Sequence, residues 1–215
     1  MLKISPSLLS ADFSNLHNEI HAVAEAGAEM LHLDVMDGHF APEITFGAPV
    51  IAKLPKPVGM EFDAHLMVQN PERIIENFFG IGIDRISIHV ESTVHLHRLL
   101  KHIEANGIKP CVTLNPSTPL SSVECILDDV AMVLLMTVNP GYSGQAFIPT
   151  MLPKVEKLKE MITKRGLGVE IQIDGGVSPK NARFLKDAGM DIAVAGSAVY
   201  GQRDYAAAIK ALKEA

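Results

Sequence analysis

The chain reads as α/β, and the architecture it predicts is a single-domain (β/α)8 TIM barrel spanning residues 1–215. Three observations carry this expectation. Short apolar runs alternate with longer amphipathic segments along the whole length, the pattern of parallel strands joined by crossover helices. The runs number eight, the count at which such a sheet closes on itself. Polar residues suited to chemistry gather at the C-terminal ends of the runs, the face on which these barrels carry their sites. An open doubly wound sheet is the rival, and the count and the placement of the polar residues favour closure.

The first four strands are expected at residues 3–8, 30–35, 60–66 and 85–89. The other four are expected at 109–114, 131–138, 170–174 and 192–195. Most runs are continuously apolar rather than alternating, as for strands covered on both faces. Helical spacing covers 15–26, 71–79, 95–106 and 122–127, then 151–165, 179–188 and 204–214. Gly27, Gly80, Gly107 and Gly189 each fall just past such a segment, where a helix end favours glycine. No linker, repeat or low-complexity stretch marks a second domain.

Composition narrows the function. The chain is 47% hydrophobic, enough for one sizeable core, with aromatics at 5% and no Trp, so aliphatic residues and ten Met supply the packing. A net charge of -6 argues against nucleic acid or an anionic membrane as partner. Cys111 and Cys125 have no CxxC spacing and suit a reducing compartment. The start, Met1 to Pro6, lacks a signal-peptide apolar region, and no stretch approaches the roughly 18 apolar residues of a membrane span. A cytoplasmic protein is expected.

Side chains at i and i+2 of a strand share a face, so His32 and Asp34 project together, and so do Asp63 and His65. Asp174 ends the seventh run and precedes Gly175 and Gly176. Strand tips are where any chain turns polar, so one such residue alone decides little. His32, Asp34, His65 and Asp174 together are four ionisable groups on one rim, which need mutual pairing or a metal to offset desolvation. A divalent ion with acid/base groups beside it is the expectation. Ser7, His89, Asn115 and Ser197 also lie at strand ends.

Glycines close the last three strands: Gly141-Tyr142-Ser143-Gly144, then Gly175-Gly176, then Gly196-Ser197. Glycine permits close backbone approach, so successive N–H groups can converge on an anion. Each alone is an ordinary turn; three in consecutive late loops point to phosphate. None contains Lys or Arg, so backbone and hydroxyl donors would do the binding.

With these motifs the chain resembles the ribulose-phosphate 3-epimerase family nearly end to end. The likeness runs through Ser5-Pro-Ser-Leu-Leu-Ser-Ala-Asp-Phe13, His32-Leu-Asp-Val-Met-Asp-Gly-His-Phe40 and Asp63-Ala-His-Leu-Met67. It continues through Leu114-Asn-Pro-Ser-Thr-Pro119, Val138-Asn-Pro-Gly-Tyr-Ser-Gly-Gln145 and Asp174-Gly-Gly176. Ala41 and Glu43 stand where that family usually has Val and Asn, and Tyr142-Ser143 where Phe-Gly is common. The resemblance implies a barrel of the ribulose-phosphate-binding type and an isomerase of carbohydrate metabolism, in the pentose phosphate pathway. Its reaction would be epimerisation at C3, interconverting D-ribulose 5-phosphate and D-xylulose 5-phosphate. It implies one divalent ion per chain on His32, Asp34, His65 and Asp174, for which Zn, Fe(II), Mn and Co all suit. Asp34 would accept and Asp174 donate a proton on opposite faces of an enediolate. Implied substrate contacts are Ser7, His65, Gly141, Tyr142, Ser143, Gly144, Asp174, Gly175, Gly176, Gly196 and Ser197. A homo-oligomer is expected.

Met36, Met67 and Met136 follow the second, third and sixth strands and would form an apolar, water-excluding lid, although Met at such positions is more often filler. Asp63 and His89 are expected to orient ligands. His17, His21, His95, His97 and His102 fall on helical stretches and are expected in solvent. Three rival functions stand beside this reading. The first is the same chemistry on a longer phosphoketose such as D-allulose 6-phosphate, which Ser143 keeps open. The second is a phosphosugar lyase or decarboxylase, which would want a Lys near Asp34 or Asp63. The third is a non-catalytic phosphate-binding barrel.

Overall fold

Alternation at period two decides how these strands pack. In β2 (Met30–Met36), Leu31, Leu33 and Val35 face one way and Met30, His32, Asp34 and Met36 the other. The same division holds in β3 (Glu61–Met67), with Phe62, Ala64 and Leu66 opposite Glu61, Asp63, His65 and Met67. The computed structural model describes residues 1–215. Its remaining strands are β1 (Lys3–Pro6), β4 (Arg85–His89), β5 (Lys109–Leu114), β6 (Met132–Met136), β7 (Glu170–Asp174) and β8 (Ile192–Ala195). All pair in parallel in the order β1-β8-β7-β6-β5-β4-β3-β2. A parallel bridge from Ser7 to His32 brings β1 back to β2, so the sheet closes into a barrel.

Helices α1 (Leu16–Glu25), α3 (Leu96–Ala105), α4 (Leu152–Lys164), α5 (Ala182–Asp187) and α7 (Tyr205–Glu214) lie within the expected segments. Two one-turn helices, α2 (Ala48–Ile51) and α6 (Ser197–Tyr200), are too short to leave a periodic signal. Two expected helices are different. Residues 71–79 form 3-10 turns at Pro71–Arg73 and Ile75–Phe78, and 122–127 fall in 3-10 turns at Leu120–Ser122 and Glu124–Asp129. Helix nucleation fixes several residues before the first bond is gained. These segments are short, and β-branched Ile74, Ile75 and Val123 disfavour the helix further. Ile75, Phe78 and Leu127 are nonetheless buried, so the turns cover the barrel as helices would.

The apolar core of 48 buried residues lies between the outward strand faces and this helical layer. The strands are covered on both faces, as expected, but their inward face is mostly polar. All the buried Asp, His and Arg residues (His32, Asp34, Asp63, His65, Arg85 and His89) occupy inward positions. The histidines and aspartates among them stand above a small apolar plug of Met30, Cys111, Met132 and Ile192.

An ionic ring closes the opposite, N-terminal mouth. Arg85 donates to Glu61 and Glu170 at 2.6 Å each, Lys3 to Glu170 at 2.6 Å, and Lys109 to Glu61 at 2.7 Å. Burial alone would raise the Glu61 carboxyl, yet the bonds from Lys109 and Arg85 outweigh it and hold the group at about 2. A carboxylate held below its unfolded value contributes stability that is present above about pH 4.5 and lost as pH falls towards 2. Glu61→Gln should therefore cost about 1–2 kcal/mol at pH 7, after discounting for partial exposure, and the gap to wild type should shrink below pH 4. Urea unfolding across that range measures it; a gap independent of pH would refute the assignment.

Candidate active site

At the C-terminal ends of β2, β3 and β7, four side chains converge. His32, Asp34, His65 and Asp174 bring one ligand atom each within 4.8 Å of all the others. His32 Nε2 lies 3.2 Å from His65 Nδ1 and 3.4 Å from Asp34 Oδ1, while Asp34 Oδ1 is 3.2 Å from His65 Nδ1. Asp174 Oδ2 is 3.8 Å from both of those ring nitrogens.

The far side of each ring is tied down. His32 Nδ1–H donates to Asp63 Oδ2 at 2.9 Å, leaving its Nε2 facing the cluster. Asp63 in turn accepts from Gln172 Nε2 at 2.8 Å and from Ser87 Oγ at 3.4 Å. His65 Nε2 meets His89 Nε2 at 2.8 Å, and His89 Nδ1 meets Glu91 Oε2 at 3.2 Å. Ser7 Oγ donates to Asp34 Oδ2 at 2.6 Å. Two ring nitrogens and two carboxylate oxygens thus face one another with no protein donor between them, a set whose chemistry fits a divalent cation. The cluster can hold a metal ion.

The two carboxyls differ in charge preference. Burial works against ionised Asp34, but the neighbouring His32 and His65 overcome it and hold the group well below the usual carboxylate range. Burial, reinforced by the charge of Asp34, pushes Asp174 up to about 7. Burial lowers His65 to about 4, whereas Asp34 and Asp63 outweigh the same penalty at His32 and raise it.

Above the cluster opens a cleft with Asp34 and Asp174 in its floor. Ser7, Asp34, Asp174 and all three glycine clusters line it: Gly141, Tyr142, Ser143 and Gly144; Gly175 and Gly176; Gly196 and Ser197. Thr137 Oγ1 donates to Gly175 O at 2.6 Å, and Gln145 Nε2 to Asn139 O and Tyr142 O, which ties two of these loops in place. The N–H groups of Gly176, Val177, Gly196 and Ser197 find no acceptor within the protein. No Lys or Arg lines the cleft. Met36, Met67 and Met136 line it as well, as buried strand-end residues; Met36 and Met67 pack with Ala41 and Phe40, and Met136 with Val138.

His65 is fully buried in the donor cluster, in register with Asp34, and does not itself line the cleft. Asn115 also lies outside the cleft, its carbonyl accepting from Lys154 Nζ at 2.9 Å. His17, His95, His97 and His102 are exposed and His21 half-buried, none of them near the cluster. Gln172, Ser87 and Glu91 were missed. Gln172 and Ser87 stand two positions before Asp174 and His89 on the same strands, so the i, i+2 rule would have found them, whereas Glu91 lies past the end of β4.

The comparisons with known proteins agree with this geometry. The model of the family described as Ribulose-phosphate 3 epimerase family matches residues 3–200. The chain is 46% identical to ribulose-phosphate 3-epimerase of Bacillus subtilis, covering 99% of each chain. It is 47% identical to the Synechocystis protein of that name, covering 98% of this chain and 92% of the relative. Solved structures share the fold at lower identity. A 3-hexulose-6-phosphate synthase superposes with a TM-score of 0.74 at 20% identity over 99% of both chains. KGPDC from Streptococcus mutans superposes at 0.75 and 15% identity, over 100% of this chain and 96% of that one. No helix here is long and apolar enough to cross a membrane. On the matched model and on relatives aligned over almost its whole length, this chain belongs to the ribulose-phosphate 3-epimerase family, isomerases that act on carbohydrates.

Proposed function

We propose that this chain epimerises a phosphorylated ketopentose at C3, interconverting D-ribulose 5-phosphate and D-xylulose 5-phosphate. The observation that carries the reading is a pair of aspartates from different strands, Asp34 of β2 and Asp174 of β7, brought onto one cluster. Epimerisation removes a proton from one face of a carbon and returns one to the other, so it needs one base and one acid at the same moment. Asp34 accepts the C3 proton of ribulose 5-phosphate, its second oxygen steadied by Ser7. Asp174 delivers a proton to the opposite face of the planar enediolate, and the roles exchange in reverse. A divalent ion on His32, Asp34, His65 and Asp174 would supply a Lewis acid for the charge developing on the substrate oxygens. The glycine loops hold the phosphate through backbone N–H groups, and Met36, Met67 and Met136 keep water from the reacting carbon.

Ser143 lines the cleft in the loop assigned to phosphate, so D-allulose 6-phosphate is the second substrate to test. Turnover of both sugars, side by side, decides: preference for the pentulose supports the reading, and equal or better use of the hexulose replaces it. A lyase is disfavoured by the absence of any Lys along the cleft. Elemental analysis of purified protein should find about one divalent metal per chain. His32→Ala or His65→Ala should lose most of it and nearly all activity, because each removes a ring nitrogen from the donor set. A metal-free wild type with full activity would refute the metal assignment.

A further inference from the structure

We infer that Glu91, acting through His89, is a positioning residue that fixes the ring tautomer of His65 and so makes its Nδ1 a metal donor. This rests on the metal assignment above and extends it to residues outside the donor set. His65 joins the cluster through Nδ1, which lies 3.2 Å from both His32 Nε2 and Asp34 Oδ1. A neutral imidazole carries one ring proton, so Nδ1 is free to donate its lone pair only when that proton sits on Nε2. His65 Nε2 faces His89 Nε2 at 2.8 Å, and a single proton fits between them. Two imidazoles alone would leave its owner undecided.

Glu91 breaks the tie. Its Oε2 lies 3.2 Å from His89 Nδ1, and a carboxylate only accepts, so the His89 proton belongs on Nδ1. His89 Nε2 is then bare and accepts from His65 Nε2–H, which leaves His65 Nδ1 bare towards the cluster. The reverse arrangement sets a His89 lone pair against the carboxylate and aims an N–H of His65 at the other donors. The pieces are held from outside. Phe40 packs on the His89 ring at a centroid distance of 4.5 Å. The other Glu91 oxygen accepts from Asn115 N at 2.9 Å and from Thr118 Oγ1. Lys154 Nζ pins the carbonyls of Asn115 and Pro116 at 2.9 and 3.3 Å. Asp63 performs the same service for His32 directly; at His65 it takes two residues because a second histidine intervenes.

Chelator competition with Zn(II) or Co(II) tests the inference, together with the imidazole 15N shifts of His65 in metal-free protein. Glu91→Gln and His89→Phe should each weaken metal binding about 10–100-fold, the usual effect of removing a partner that orients a ligand. His89→Gln places an amide oxygen where His65 Nε2–H can donate, and should stay within about threefold of wild type. Adding Glu91→Gln to His89→Gln should then cost no further affinity, because Glu91 acts only through the ring. In metal-free wild type the 15N shifts should report a proton on His65 Nε2, and in Glu91→Gln a mixture of tautomers. Wild-type affinity in both Glu91→Gln and His89→Phe would overturn the relay, as would an equal Glu91→Gln penalty in the His89→Gln background. A wild type that binds no metal would refute the metal assignment instead, and the 15N shifts would still decide the tautomer.

Discussion

Asp174→Asn should wash solvent deuterium into recovered D-ribulose 5-phosphate while forming almost no D-xylulose 5-phosphate. Asparagine keeps the size of the side chain and a neutral oxygen, but has no proton to give. Asp34, ionised and steadied by Ser7 at 2.6 Å, still faces the C3 proton of the substrate. In deuterated water the Asp34 acid exchanges with solvent and returns deuterium to the same face. Asp34→Asn should show the mirror result: no exchange into D-ribulose 5-phosphate, but exchange into D-xylulose 5-phosphate, through Asp174. Loss of one positioned acid or base costs about 10²–10⁴ in rate, so epimerisation should fall by at least that factor in each variant. Metal content must be measured in the same samples, because both residues also belong to the donor set. A single variant that retains its metal and epimerises at near wild-type rate would end the two-base mechanism. A one-base or retro-aldol route would then have to replace it.

Much of this site could be read from spacing alone. His32 with Asp34, and Asp63 with His65, lie two apart on strands whose intervening residues are apolar, so their shared face needs no tertiary information. Which residues then touch is a matter of register between strands. β2 and β3 pair His32 with Asp63 and Asp34 with His65, and that offset makes Asp63 a support for His32 while His65 joins the donor set. Glu91 escaped notice because it lies past the end of β4, in a loop whose course depends on contacts with Asn115 and Thr118. The turns at 71–78 and 120–129 misled for a different reason. Their apolar spacing is helical because they cover the barrel as helices do, but spacing reports burial and does not fix the hydrogen-bonding pattern of the turn.

D-Ribulose without its phosphate should react at least about 10³-fold more slowly in kcat/KM, with kcat falling as well as affinity. The phosphate takes no part in the proton transfers, so any effect on kcat reports binding energy used to hold C3 between the two carboxyls. Three loops supply that energy here. In the two that follow β7 and β8, the N–H groups of Gly176, Val177, Gly196 and Ser197 are unpaired within the protein, and all four residues line the cleft. Two glycines allow the loops to be tested separately from the fold. A Cβ at Gly144 would meet nothing within 4 Å, so Gly144→Ala acts only through the backbone, whose φ of +74° an alanine resists. A Cβ at Gly176 would lie 2.3 Å from Phe147 N, so Gly176→Ala must push two loops apart as well. Gly144→Ala should therefore lose about tenfold on the phosphorylated sugar, Gly176→Ala more, and in both the ratio between the phosphorylated and free sugars should narrow. Inorganic phosphate, tested as a competitive inhibitor, should weaken in the same order. A wild type that turns over both sugars with equal kcat/KM would show that these loops are only turns, and that the phosphate is held elsewhere or not at all.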